Sequence, residues 1–286
     1  MKLTDYQEIR ALLSLHGFHF TKSLGQNFLT AAWVPDKIAE AAAPNRSTGV
    51  LEIGPGIGCL TVPLSRLAGR VVSVELDRRL MPVLSQTLAG CENVEVVFGD
   101  ALKMDLQALV EEEFLSRGLQ PVVCANLPYN ITSPILTKLT EMKCFANITV
   151  MIQQEVARRI CASAGESDYS AFGILMQWRT VPELLFDVSP SCFVPQPKVT
   201  STVIRLGLRE TPPAEVQDEK LFFTVVRAAF NQRRKTLVNA LSSQIPGVSR
   251  ETVAKALETL GLDGQIRGEA LAVKDFAQLS NLLSKQ

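Results

Sequence analysis

The stretch best equipped for chemistry is Asn126-Leu127-Pro128-Tyr129. Asn126 offers a neutral side-chain acceptor, Leu127 a backbone carbonyl, and Tyr129 a flat stacking face. Two neutral acceptors beside a ring suit a planar heterocycle with an exocyclic NH2. Taken alone, the tetrapeptide serves equally well as a turn with a packed tyrosine, since Pro128 fixes the backbone either way. Three further groups narrow the chemistry. Gly54-Pro55-Gly56-Ile57-Gly58 follows an apolar run and reads as strand, glycine turn and helix. Gly54 and Gly56 admit positive φ and close approach of a ligand, and the helix starting near Leu60 presents free N–H groups. The spacing is G-x-G-x-G, without the dinucleotide pattern G-x-G-x-x-G. Glu75 ends a second apolar run about 20 positions after Gly54, the offset at which an acid reaches ribose hydroxyls. Asp100, in Gly99-Asp100-Ala101, ends a third and is placed to accept from an adenine amino group. A glycine turn, a ribose acid and an adenine acid without a pyrophosphate cradle fit a nucleoside cofactor lacking phosphates, and S-adenosylmethionine answers that description.

These groups need a scaffold that gathers strand ends. The apolar runs at 50–53, 70–74, 94–98 and 121–125 each lead into one of them, and each is followed by apolar residues at helical spacing. This predicts an α/β fold, a parallel Rossmann-like sheet with crossover helices over the first 145 residues. Ligands bind such sheets in the crevice at the carboxyl edge. Further strands are predicted at 148–152, 180–188 and 199–208, and helices at 4–17, 34–43, 153–160 and 172–178. The segment Lys22 to Leu29 reads as a loop with polar side chains held in place. Phe193-Val194-Pro195-Gln196-Pro197-Lys198 carries two prolines and is predicted to be a rigid extended loop headed by Phe193, not a central strand. Pro212-Pro213 among charges marks a linker, and 219–242, 249–260 and 274–284 are helical in pattern. The expected division is a catalytic domain over 1–208 and a small all-helical C-terminal domain over 209–286.

Bulk properties set limits. The 286 residues are 47% hydrophobic, enough for a full core in a globular chain. Lys+Arg and Asp+Glu balance at 29 each, so any nucleic-acid contact must come from a local basic patch. Arg233-Arg234-Lys235 with nearby Arg227 and Lys220 is that patch, and Arg158 and Arg159 add to the basic surface; a solvated helix face is the other reading of such a triplet. Six scattered cysteines without a C-x-x-C pair point to buried thiols in a reducing compartment. His16 and His19 have no Cys or carboxylate at ligand spacing, so no metal is expected. No apolar stretch is long enough to span a membrane and no signal-peptide pattern opens the chain, so a cytoplasmic protein is expected.

Eight blocks occur together in one order: K-S-L-G-Q-N-F-L (22–29), L-E-I-G-P-G-I-G (51–58), V-E-L-D (74–77), G-D-A (99–101), N-L-P-Y (126–129), Q-E-V-A-R-R (154–159), F-V-P-Q-P-K-V-T-S (193–201) and A-A-F-N-Q-R-R-K-T-L (228–237). In this the sequence resembles the KsgA-type ribosomal-RNA adenine dimethyltransferases, relatives of the Erm methylases, over nearly the whole chain. The resemblance implies a class I S-adenosylmethionine-dependent methyltransferase sheet. It implies a cofactor site lined by Asn27, Leu29, Gly54, Gly56, Glu75, Asp100 and Asn126. It implies a target adenine flipped out of its stack and held between Tyr129 and Phe193, with its amine on Asn126 and the Leu127 carbonyl. It implies RNA contact through Arg227, Arg233, Arg234 and Lys235, and a monomer that dimethylates two adjacent adenosines near the 3′ end of small-subunit rRNA within the immature subunit. A DNA adenine methyltransferase uses a similar N-P-P-Y motif; the helical C-terminal part and the R-R-K-T-L block speak for rRNA. A non-catalytic RNA-binding assembly factor on the same fold is the other alternative, and the intact Gly54, Glu75, Asp100 and Asn126 speak against it.

Overall fold

A computed structural model of the chain describes residues 1–18, 27–42 and 44–284. The K-S-L-G-Q part of the first block, residues 22–26, and His19 lie outside them. The chain divides into two compact units, Met1–Ala157 with Pro182–Leu208 and Arg158–Val181 with Arg209–Gln286.

The first unit opens with α1 (Tyr6–Leu15), whose N-terminus Asp5 caps by accepting from the backbone N–H groups of Gln7 and Glu8. A two-residue strand β1 (Phe28–Leu29) and α2 (Trp33–Ala41) follow. Strand and helix then alternate: β2 (Thr48–Ile53), α3 (Thr61–Leu67), β3 (Arg70–Glu75), α4 (Met81–Thr87), β4 (Val94–Phe98), α5 (Leu106–Glu113), β5 (Gln120–Asn126), α6 (Thr132–Glu141) and β6 (Asn147–Gln153). Every residue of β2 is buried, as expected of a strand covered on both faces, whereas β4 at the sheet edge is only half-buried. After α7 (Gln154–Cys161) and α8 (Ala171–Arg179) come β7 (Thr180–Val188), β8 (Phe193–Val194) and β9 (Ser201–Leu208). The seven-stranded sheet runs β4-β3-β2-β5-β6-β9-β7. Strands β2 to β6 pair in parallel, and β9 returns antiparallel along β6. The order reverses at β2, which has β3 on one side and β5 on the other, so a crevice opens at the carboxyl ends of β2 and β5.

The head of the 193–198 segment is a short strand rather than loop: β8 pairs antiparallel with β1, Leu29 opposite Phe193 and Phe28 opposite Val194. The prolines begin where the ladder ends, with a cis Val194–Pro195 bond. The strand stands apart from the main sheet, so the two prolines never meet a central ladder.

The second unit contains α9 (Glu219–Asn231), α10 (Leu237–Gln244), α11 (Arg250–Thr259) and α12 (Val273–Leu283), joined by α8. This differs from a single cut at 208. Residues 158–181 carry Tyr169 and Trp178, and their partners lie among the C-terminal helices. The rings of Trp178 and Phe222 are 4.2 Å apart, the Trp178 indole N–H donates to Glu219 at 2.8 Å, and the Tyr169 hydroxyl donates to the Leu271 carbonyl at 2.9 Å. Buried aromatics with satisfied polar tips hold this core together.

Candidate active site

The crevice is lined from four strand ends. Asn27, Leu29, Gly54, Gly56, Glu75, Asp100, Asn126, Leu127, Pro128 and Tyr129 all face it, together with Glu52. Parallel registry explains the convergence: Ile53 lies opposite Val74, Leu51 opposite Val123 and Glu75 opposite Phe98, so the residues that end these strands meet at one edge.

The glycine turn is shaped by backbone. Gly54 and Gly56 have φ of +74° and +60°, which L side chains rarely adopt. A Cβ on Gly56 would stand 3.0 Å from the Phe28 ring, so the turn also needs the missing side chain for space. Glu75 closes the turn from β3. Its carboxylate accepts from the N–H of Asp77 at 2.8 Å and of Gly56 at 3.3 Å. Burial raises its pKa, opposed by those two donors. Asp100 is half-exposed, and its side chain accepts from the Leu102 N–H at 3.0 Å.

Asn126 ends β5. Its side-chain N–H donates to the Asn27 carbonyl at 3.4 Å, a bond that directs the amide oxygen the other way. Leu127 is buried, and its N–H donates to the Met151 carbonyl on β6, which fixes the peptide joining it to Asn126. Tyr129 is half-buried, and its hydroxyl pairs with that of Ser201 at 2.7 Å. Phe193 is placed differently from its companions. It is 2% exposed, is absent from the crevice lining, and packs with Leu29, Val34, Ile38 and Val203. The segment from Phe193 to Ser201 is thus tied to the site at both ends, through the Leu29 ladder and the Tyr129 hydroxyl.

Two groups escaped sequence reasoning. Glu52 is buried among apolar neighbours at the foot of the crevice, and one of its oxygens accepts from Thr61 at 2.7 Å and Ser73 at 2.6 Å. Burial pushes its pKa up to about 7 against these two donors, and the charge of Glu75 adds to the rise. The signal was an acid inside an apolar strand just before a glycine turn. Ser201 is a hydroxyl among several in V-T-S-T-V, and nothing local distinguishes it.

Of the basic residues, Arg233 bridges Glu269 at 2.9 Å and donates to the Ser167 carbonyl at 2.6 Å, within the second unit. Arg227 is exposed and donates to Thr224 at 3.3 Å. Arg234 and Lys235 are exposed, have no ion pair among the described residues, and border a cleft with Asn239, Ser242 and Arg250. The His16 ring N–H donates to the Gln86 side-chain oxygen at 2.8 Å, and no group of three metal-binding side chains occurs among the described residues.

The sequence matches a family described as ribosomal RNA adenine dimethylase over residues 17–285. A ribosomal RNA small subunit methyltransferase A of Geobacillus thermodenitrificans is 46% identical, with 96% of this chain and 94% of that protein covered. The protein of the same name from Alkaliphilus oremlandii is 41% identical over 100% of this chain and 99% of its own length. Among solved structures, a dimethyladenosine transferase from Plasmodium falciparum superposes with a TM-score of 0.71 at 29% identity, covering 88% of this chain and 95% of the other. The 23S rRNA methyltransferase ErmE superposes with a TM-score of 0.66 at 28% identity, covering 90% and 99%.

Proposed function

Since the chain belongs to the ribosomal RNA adenine dimethylase family, we propose that this crevice is where two methyl groups are placed on the exocyclic amine of each of two adjacent adenosines near the 3′ end of small-subunit rRNA. The protein is an S-adenosylmethionine-dependent rRNA adenine dimethyltransferase on an α/β methyltransferase fold. No helix among the described residues is long and apolar enough to cross a membrane. A cytoplasmic monomer acting on the immature small subunit is the reading that fits best.

The residues present suit the cofactor. A glycine turn that a Cβ would fill, one acid buried beside it and one at the next strand end provide room and acceptors for a ribose and an adenine. Glu75 would take the ribose hydroxyls, Asp100 the adenine amine, and Asn27 and Leu29 would form the wall opposite. The bound cofactor supplies an electrophilic methyl group on a sulfonium. What remains for the chain is to orient a poor nucleophile. The amide oxygen of Asn126 and the carbonyl of Leu127 would accept from the adenine amine and favour a pyramidal nitrogen with its lone pair available. No base is needed before attack, because the amine loses its proton after becoming cationic. Tyr129, with its ring oriented by Ser201, would stack on the flipped base. Phe193 would complete the sandwich after the base displaces part of its packing. The helical unit, with Arg227, Arg234 and Lys235, would hold rRNA phosphates, while the ion pair of Arg233 gives it a structural task as well.

The observation that carries this reading is the meeting of Asn126 with Gly54, Glu75 and Asp100 in one crevice. The test is incubation with methyl-labelled S-adenosylmethionine and immature small subunits, followed by mapping of the label. Label on two adjacent adenosines is expected. Asn126→Ala should cut transfer about 100-fold or more, as for other lost transition-state contacts. Absence of label in rRNA, or label on another base, would overturn the reading.

A further inference from the structure

Lys138 lies in the last turn of α6, half-buried, and forms no ion pair among the described residues. Its ammonium instead donates to three backbone carbonyls, Ala101 at 2.9 Å, Leu102 at 3.0 Å and Met104 at 2.6 Å. An ammonium has three protons, and each finds an acceptor in one short segment. That segment starts immediately after Asp100. It is wound tightly: the N–H groups of Lys103 and Met104 both donate to the Asp100 carbonyl at 2.9 Å, and the Met104 sulfur stands 2.6 Å from where a Cβ on Gly99 would be. The Asp100 carboxylate is bonded into the same turn through the Leu102 N–H. Where the turn goes, the carboxylate goes. The helix that carries Lys138 also grips the acceptor motif, since Thr132 in its first turn donates to the Pro128 carbonyl at 3.3 Å.

We propose that Lys138 is a positioning residue for the adenine end of the cofactor, holding the Ala101–Met104 turn by three charge-assisted bonds so that Asp100 is presented to the crevice. This rests on the assignment of the crevice to S-adenosylmethionine. A turn of four residues after a strand has few apolar contacts with which to fix itself; Ala101 alone is buried, and Leu102 to Met104 are not. Charge-assisted bonds to carbonyls are about twice as strong as neutral ones, and three on one turn leave it a single arrangement. Sequence gave no warning, because one lysine in I-L-T-K-L reads as an ordinary solvated helix position.

Lys138→Met keeps the stem and removes the donors, and Lys138→Arg keeps donors and charge. Calorimetric titration with S-adenosylmethionine and with 5′-methylthioadenosine, which retains adenine and ribose but lacks the amino-acid end, reads the effect directly. In Lys138→Met both ligands should bind about tenfold more weakly, by the same factor. Lys138→Arg should recover part of the loss, and the methyl-transfer rate at saturating cofactor should match the parent. Unchanged affinity would overturn the proposal, as would a loss confined to S-adenosylmethionine or one seen only in the saturated rate. Failure of both variants to fold would make Lys138 a structural residue and overturn it equally. The parental titration separates these results from failure of the crevice assignment itself, in which neither ligand binds the parent.

Discussion

Glu52 shows how a single side chain sets a pH dependence. A carboxyl whose folded pKa lies near 7 binds its proton more tightly in the folded state than in the unfolded one, where it titrates near 4.5. Between these values the folded chain carries more protons, so this group's contribution makes stability fall as pH rises, by roughly 1.4 kcal/mol per pH unit. Below pH 4.5 the group is neutral in both states and the penalty vanishes; above pH 7 it is constant at about 3 kcal/mol. Glu52→Gln keeps an oxygen for Thr61 and Ser73 without the charge. The variant should therefore gain on the parent through that window and unfold at higher denaturant at pH 8 than the parent does. Equal midpoints at pH 5 and pH 8 would remove Glu52 from this role. The meeting of Glu75, Asp100 and Asn126 in one crevice was legible because Glu75 and Asn126 end strands and Asp100 follows one by two residues. Glu52 was obscured because burial, which gives it its properties, is invisible in a residue type. Lys138 was obscured because its three partners are backbone atoms.

At the scale of elements, the ladder between β1 and β8 separates two roles for aromatic rings. Tyr129 borders the crevice and its hydroxyl pairs with that of Ser201, so Tyr129→Ala should remove stacking worth about 1–3 kcal/mol from methyl transfer with cofactor affinity kept. Phe193 is packed in the core, and Phe193→Ala should cost about 3–5 kcal/mol of stability whatever it does to transfer. Single-turnover transfer and denaturant unfolding on both variants distinguish them. A fall in transfer with no loss of stability in Phe193→Ala would show that its packing matters less than its face. The alternation of strand and helix from β2 to β6 was legible because apolar runs of strand length are punctuated by glycine and polar strand ends. The β1–β8 pair was not. Two-residue strands have no period, and their pairing joins segments far apart in sequence.

For the whole molecule, charge matters by location. A chain with no net charge must hold RNA through a few placed cations. Neutralising Arg234 and Lys235 together should lower the slope of log affinity for rRNA against log salt by about 2, leaving S-adenosylmethionine affinity unchanged. Arg233→Ala should instead lower the unfolding midpoint, because it breaks the bridge to Glu269 and the bond to Ser167. An unchanged slope in the double variant would make the pair a solvated helix face. The presence of a helical C-terminal part was legible from periodicity. Its true extent was not, because Tyr169 and Trp178 find their partners many residues later, and one chain does not say which buried aromatic meets which.

The pairing of Leu29 with Phe193 has a consequence for how the chain folds. It closes a loop of more than half the chain for only two residue pairs of ladder. Loop-closure entropy must be met before such a contact yields anything in return, whereas β2, β3 and β4 pair across short crossovers. The wall of the crevice that carries Asn27 and Leu29 therefore assembles after the sheet that carries Gly54 and Glu75. In pulse-labelled hydrogen exchange during refolding, amides of the sheet centre should become protected first, and those of the β1–β8 ladder last. Simultaneous protection would mean that the loop is already closed when the sheet forms.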